Sequence, residues 1–254
     1  MPRAARPPIE EHCRRLLSFD RAQATVCDAS AKALLVGFDE AGRGAWAGPV
    51  AVGCVHLPIS LSDDDLVRRL AGVDDSKRLS AAARLRLFAR ITECASYAVG
   101  FACAAEIDRI GIVPACRRAA ARAYRRLGIA AELALFDRGL ALETASDRAC
   151  DEPGRRALGD ASDLRTDPSG LIPPVRATEI THGDGTSLHI AAASIVAKVS
   201  RDAWMERLDR TWPGYGLARH KGYGTQAHRQ GLLDQGISRL HRRTYLRGVC
   251  EANL

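Results

Sequence analysis

The sequence predicts an α/β fold: a five-stranded mixed sheet flanked by helices, with a basic helical extension at its C-terminal end. Three observations predict it. Three β-rich apolar runs come first, strand and helix patterns then alternate, and the net positive charge is confined to the last fifth of the chain. The chain has 254 residues, 46% hydrophobic and 26% charged, with a formal net charge of +7. That composition excludes disorder for most of the chain, and no periodicity supports a fibrous or repeat architecture.

The elements follow in order. Residues 1 to about 8 are rich in Pro and Arg, and residues 9–18 carry a short amphipathic helical pattern with its acids first. We place this tail and short helix in residues 1–30, the main domain in 31–210 and the basic helical extension in 211–254. KALLVGFDEAGRG reads as a buried strand that ends in a glycine-rich turn. GPVAVGCVHLP is a second strand stopped by Pro58, and ASYAVGFACA a third. No apolar helix stands between the first two, so the three should form an antiparallel meander. The interval 63–93 holds a loop with Asp74, Asp75, Ser76 and Lys77, then a helix capped by Ser80. An Arg/Ala helix runs from Pro114 to about Leu127, ELALF is a fourth strand running into Asp137, and VRATEITHG contains a fifth. Residues 145–173 are acidic and aperiodic, the pattern of a surface insertion. A small-residue helix spans Ser187 to Leu208, Pro213 and Gly214 stop it, and short helices follow near 225–234 and 238–248.

Charge placement narrows the partner. Residues 198–247 hold eleven Lys/Arg against Asp202, Glu206, Asp209 and Asp234, which accounts for the whole excess of +7. A segment that meets a phosphate backbone would look like this. Lysine is rare: only Lys32, Lys77, Lys198 and Lys221 stand among 37 basic residues. The last three fall in segments that other signals single out, and a compact ammonium suits a phosphate contact there. The eight cysteines form no CxxC pair and several lie in apolar runs, so neither a zinc site nor a disulfide framework is expected. No run is long enough to span a membrane, and the N-terminus lacks a signal-peptide apolar region, so we expect a cytoplasmic protein.

Acids at element ends carry the chemistry. Asp39 and Glu40 end an apolar strand, Asp137 ends another, and Asp184 precedes the long helix. Carboxylates converging from two strand ends and a helix start are what hard, oxygen-liganded Mg²⁺ or Mn²⁺ needs, and two such ions can clamp a phosphodiester. Gly42-Arg43-Gly44 allows bare backbone to approach a ligand with a guanidinium beside it. The same glycines fit a loose dinucleotide fingerprint, but a strand follows where that motif needs a helix. WPGYGLARHKGYGTQAH sets aromatic rings among cations, a pattern suited to stacking on sugars or bases. Most of the histidines at 182, 189, 220, 228 and 241 read as surface or phosphate-facing, and His56 as a strand residue.

GFDEAGRG, DDSKRLS, GDGTSLHIAAASIVAKVSRD, YGLARHKGYGT and HRRTY, in this order and spacing, closely resemble ribonuclease HII from about residue 34 to 247. The resemblance implies an RNase H-like fold. It also implies a divalent-metal endonuclease that cuts RNA within RNA–DNA hybrids, and at single ribonucleotides in duplex DNA, leaving a 3′-hydroxyl and a 5′-phosphate. The family's catalytic, metal-binding acids fall on Asp39, Glu40, Asp137 and Asp184. Its ribose-sensing loop falls on Gly42, Arg43 and Gly44, and its stacking tyrosine on Tyr223. Lys77, Lys198 and Lys221 complete the expected substrate contacts. The chain departs from the family pattern at Ala45 and Trp46, at Arg138 between Asp137 and Gly139, and in the long interval before Asp184. Asp147 and Asp151 are the alternative third acids. The related ribonuclease HIII carries a large N-terminal domain for which about 33 residues leave no room, and a metal-free hybrid binder would lack the acids. No sliding-clamp motif of the Gln-x-x-Leu-x-x-Phe-Phe kind occurs, and a monomer is expected.

Overall fold

The computed structural model describes residues 8–27, 34–58, 60–142 and 175–247. The expected insertion at 145–173, with Asp147 and Asp151, lies outside these residues. Five strands, β1 (Leu35–Ala41), β2 (Val50–His56), β3 (Ser96–Ala102), β4 (Leu133–Asp137) and β5 (Arg176–Ile180), form one sheet in the order β3-β2-β1-β4-β5. The first three pair antiparallel, while β1–β4 and β4–β5 are parallel. This is the expected mixed sheet with its meander. β2 is buried along its whole length, which is why its sequence is a continuous apolar run rather than an alternating one.

The two faces of the sheet are covered by different helices. Val36, Phe38, Val52 and Cys54 pack under α5 (Ile112–Leu127) with Ala119, Ala120 and Tyr124, and Phe38 stacks on Phe136 at 4.6 Å. Ala51, Val55 and Val99 face α6 (Leu188–Thr211), whose Ala191, Ala192, Ala193 and Val196 lie against them. The small residues matter because this helix lies almost on the backbone of the sheet. A Cβ at Gly37 would collide with His189 and Ile190, and one at Gly53 with the Ala193 carbonyl. Close approach carries the start of α6, capped by Ser187, to the ends of β1 and β4.

Three helices were not expected, one of them the single turn Leu217–His220 near the C-terminal end. α2 (Asp63–Leu70) has a Ser62 cap, acids in its first turn and Arg68 and Arg69 in its last, so its signals are local and complete. α4 (Ala104–Ile110) is too short for periodicity to reveal. α1 (Ile9–Cys27) runs nine residues beyond the expected stretch because Asp20 locks it to α6: one carboxylate oxygen accepts from the His189 backbone at 3.0 Å and lies 2.7 Å from its ring. α3 (Ala81–Cys94) starts at the Ser80 cap as expected. α5 begins two residues before Pro114, which the first turn of a helix tolerates.

At the C-terminal end, α7 (Leu217–His220), α8 (Gln226–Gln235) and α9 (Arg243–Leu246) gather a small core of Ala47, Met205, Tyr215, Leu217, Leu232 and Leu246. Backbone hydrogen bonds stitch it to the loop after β1: Trp46 N–H to Gly222 O, Gly48 N–H to Leu240 O and Arg242 N–H to Trp46 O, each 2.8 Å. The histidine expectation needs correction. His189, His228 and His241 are buried, and each ring nitrogen that would be costly to bury has a polar partner. His56 is a strand residue as expected, bonded to the Leu35 carbonyl at 2.8 Å. Among the described residues no helix is long and apolar enough to cross a membrane.

Candidate active site

Parallel pairing of Phe38 with Phe136 puts the following residues, Asp39 and Asp137, side by side where β1 and β4 leave the sheet. Both point away from the phenylalanine face, toward the start of α6. Asp137 Oδ1 accepts the Gly183 N–H at 2.8 Å, which ties β4 to the turn carrying Asp184. Asp39 is buried, and its Oδ1 accepts the Glu40 N–H at 2.7 Å. Burial, and then the Glu40 carboxylate, push the Asp39 carboxyl well above the usual range, and a hydrogen bond from Ser194 opposes them. Glu40 is raised mainly by burial, with Arg43 at 3.4 Å pulling the other way. Asp184 is raised by burial and by Asp75. Lys77 lies 3.6 Å from Asp184; burial works against its charge, but Asp184, Asp39, Asp75 and Asp137 outweigh it and raise its pKa.

The four expected acids therefore share one electrostatic neighbourhood at one end of the sheet. Among the described residues no three His, Cys, Asp or Glu side chains form a ready-made metal cluster. The donor set nevertheless fits a hard divalent cation. All four are carboxylates, they repel one another, and Glu40 Oε2 is buried with no hydrogen-bond partner.

A second wall adjoins this one through Arg43, which lies 3.4 Å from Glu40 and whose carbonyl accepts from Arg242. Gly42 has φ +88°, and a side chain there would collide with the Arg201 guanidinium. Arg201 is fully buried, and among the described residues its hydrogen bonds go to carbonyls and not to a carboxylate. It donates through Nε to Pro49 O at 2.9 Å, through Nη1 to Lys221 O at 2.9 Å and through Nη2 to Ala47 O at 3.3 Å. Its guanidinium also lies 5.5 Å from the centre of the Tyr223 ring. Arg242, equally buried, donates to Gly48 O at 3.1 Å and Arg43 O at 2.8 Å. Backbone carbonyls, not acids, thus hold two cations between the Gly42–Gly44 turn and the Tyr223 loop. Gly44 differs from Gly42: it is exposed, its φ is ordinary, and a Cβ there would meet nothing within 4 Å. Tyr223 is 38% exposed.

Lys198 is bonded to Asp202 at 2.7 Å and Lys221 to Glu206 at 2.6 Å, so each already commits one of its three N–H donors to a carboxylate. Tyr215 is buried in the small C-terminal core, its hydroxyl donating to Gly236 O at 3.1 Å. The departure at Trp46 also has a place. The indole packs against Gly224 and lies 5.8 Å from the His228 ring. Sequence reasoning gave no role to Arg201, Arg242, Asp75 or Ser194; their partners are backbone groups or residues far along the chain, a relation that spacing does not show.

Comparison with known proteins agrees with this geometry. The family model described as Ribonuclease HII matches residues 36–247. Ribonuclease HII of Thermus thermophilus is 44% identical over 213 residues, covering 84% of this chain and 86% of the relative. That of Geobacillus kaustophilus is 36% identical over 244 residues, covering 96% and 78%. RNase HII in its PCNA complex from Archaeoglobus fulgidus superimposes with a TM-score of 0.58 at 27% identity, over 82% of this chain and 93% of that one. A Bst-RNase HIII in complex with Mn²⁺ shares the fold, with a TM-score of 0.55 at 17% identity over 99% and 76%. On the family match and these relatives, the chain belongs to the ribonuclease HII family and is an enzyme of the ribonuclease H type.

Proposed function

We propose that this chain is an endonuclease that cuts the RNA strand of RNA–DNA hybrids and also cuts at single ribonucleotides embedded in duplex DNA, leaving a 3′-hydroxyl and a 5′-phosphate. The observation that carries the finer reading is Gly44. The fold has room for a side chain there, so its glycine serves something outside the chain, next to the acids. A 2′-hydroxyl both donates and accepts hydrogen bonds, and only closely approaching backbone can meet both demands. In this reading Gly42 makes the turn that lets Gly44 present that backbone beside Glu40, and Arg43 meets the adjoining phosphate. Tyr223 stacks on the next sugar, with Arg201 behind its ring.

Asp39, Glu40, Asp137 and Asp184 would hold two Mg²⁺ or Mn²⁺ ions, which when bound stabilise charge on the attacking and leaving oxygens. The chain supplies those carboxylates from separate elements: β1 and β4 carry three, and the turn before the close-packed start of α6 carries Asp184. Lys77 offsets their charge from solvent. Lys198 and Lys221 are positioned for phosphate contact along the duplex with their remaining N–H donors. A monomeric, cytoplasmic enzyme with its chemistry in residues 31–210 and a basic extension in 211–254 completes the proposal.

The test is a duplex with one ribonucleotide, incubated with Mg²⁺, Mn²⁺ or EDTA. Cleavage at the ribonucleotide with either metal and none in EDTA supports the reading. Cleavage of continuous hybrid alone would restrict the enzyme to its family's hybrid activity.

A further inference from the structure

Behind Tyr223 lies a chain of buried imidazoles that the reaction itself does not use. His228 Nδ1 is 3.0 Å from the Tyr223 carbonyl, and His228 Nε2 is 3.1 Å from His241 Nε2. His241 Nδ1 in turn receives the Ser238 backbone N–H at 3.1 Å, with the Ser238 hydroxyl at 2.9 Å. The partners fix every proton. A backbone N–H can only donate, so His241 Nδ1 is bare and its proton sits on Nε2. That proton points at His228 Nε2, which must be the acceptor. The His228 proton is then on Nδ1, where the Tyr223 carbonyl, which can only accept, requires it. Reasoned from either end, the assignment is the same.

Both rings must be neutral for this relay, since charging either sets two N–H groups against each other. Burial favours that state: it lowers the pKa of His241, and it brings His228 down to about 4. The third imidazole reinforces the same loop. His220 stacks on His228 at 4.4 Å, donates to Tyr215 O at 2.7 Å and accepts the Gly222 N–H at 3.2 Å. Trp46 closes the other side of His228. Beside the charged contacts at Lys221, made by Glu206 and by Arg201, Gly222 and Tyr223 are thus held by neutral, directional bonds from imidazole to backbone. Such bonds fix position without adding charge near a phosphate.

We propose that His228 is a positioning residue that, through this relay, sets the place of Tyr223 and with it the preference for an isolated ribonucleotide. The inference rests on the proposed stacking role of Tyr223. Two readouts separate its failure from failure of that role.

The first readout is position. The protein is labelled with 3-fluorotyrosine; five tyrosines give five ¹⁹F signals, and Tyr223→Phe identifies one. His228→Leu removes the donor and should shift or broaden the Tyr223 signal, leaving those of Tyr97 and Tyr124 in place. His228→Asn puts an amide N–H where Nδ1–H stood and should restore the signal. His241→Asn breaks the relay one step away with less loss of volume, and should shift the signal by a smaller amount. The second readout is the ratio of kcat/KM on a lone-ribonucleotide duplex to that on a continuous hybrid. His228→Leu should lower the ratio at least fivefold, His228→Asn should stay within twofold of wild type, and His228→Leu should add nothing in a Tyr223→Ala background. An unmoved Tyr223 signal in both His228→Leu and His241→Asn overturns the inference, as does an equal loss on both substrates. A signal that moves while Tyr223→Ala leaves the ratio unchanged upholds the relay and instead removes the stacking role of Tyr223.

Discussion

The two walls of the site are built by opposite means. The wall of Asp39, Glu40, Asp137 and Asp184 consists of groups that raise one another's energy: the Asp39 and Asp184 carboxyls are pushed upward by burial and by neighbouring acids. The wall of the Gly42–Gly44 turn and Tyr223 instead binds its buried groups to backbone, with one strained member: burial and the Arg201 charge bring Arg242 down to about 10, and its Nη2 is buried with no hydrogen-bond partner. Its buried arginines end on backbone carbonyls and its histidines on each other. The acid wall therefore awaits a cation, whereas the second wall is already tied to the chain's own carbonyls and can measure a substrate. Stability and function should trade against each other on the first wall and run together on the second.

The largest expected effect lies on the acid wall. Asp39→Asn or Asp184→Asn should reduce cleavage by about a thousandfold or more, because the stabilisation lost is several kcal/mol. The same substitution relieves repulsion, so in EDTA the melting temperature should rise, by about 2–4 °C for each kcal/mol recovered. A lower melting temperature in both variants would break the contrast between the walls. Asp137→Asn should lose activity in the same way; retained cleavage would point outside the described residues for the third acid.

Next come the two glycines, which the structure separates cleanly. Gly44→Val should fold with wild-type stability and lose far more than tenfold in activity on a lone ribonucleotide, because its side chain fills the space left for the sugar. Gly42→Ala, at positive φ against Arg201, should instead cost about 1–3 kcal/mol of stability. Thermal melts of both proteins beside their cleavage rates check this, and equal destabilisation would remove the argument from Gly44.

Tyr223→Ala should lower cleavage at a lone ribonucleotide at least tenfold, about 1.4 kcal/mol. Tyr223→Phe should be much milder, since the ring and not the hydroxyl stacks. The smallest effect concerns pH. The folded pKa of His228 is depressed to about 4 from an unfolded value near 6.5, so its contribution is complete above pH 6.5 and is lost as pH falls toward 4. His220, His241 and Trp46 face the ring, and among the described residues no carboxylate is bonded to it. Melting temperatures from pH 7 to 4 should fall more steeply for wild type than for His228→Asn.

Much of the acid wall was legible in the sequence, because its physics is local: an apolar strand that ends in a carboxylate needs a reason, and two such places stood out, with Asp184 at a helix start as the third. The sheet was legible for the same reason, through apolar runs and their breaks. Ser62 and the charge order after it are signals as complete as Ser80 gives α3, yet α2 was not expected, whereas α4 has too few residues for a period to show. The second wall was not legible from spacing. Arg201 reaches carbonyls about 150 positions away, and His228 and His241 look like surface cations until their partners are known. Tyr223 entered only through resemblance to ribonuclease HII; composition alone offered Tyr215 equally, and the structure buries that ring.

The central claim is that recognition and chemistry reside on separate walls, and binding by a protein that cannot cut tests it most directly. Asp184→Asn, and Asp184→Asn with Tyr223→Ala, would each be titrated with a duplex carrying one ribonucleotide and with its all-DNA counterpart. We expect Asp184→Asn to prefer the ribonucleotide duplex about tenfold, since the backbone groups facing the sugar would otherwise lose a partner, and the double variant to lose that preference while its all-DNA affinity is unchanged. Equal affinity of Asp184→Asn for the two duplexes would contradict it.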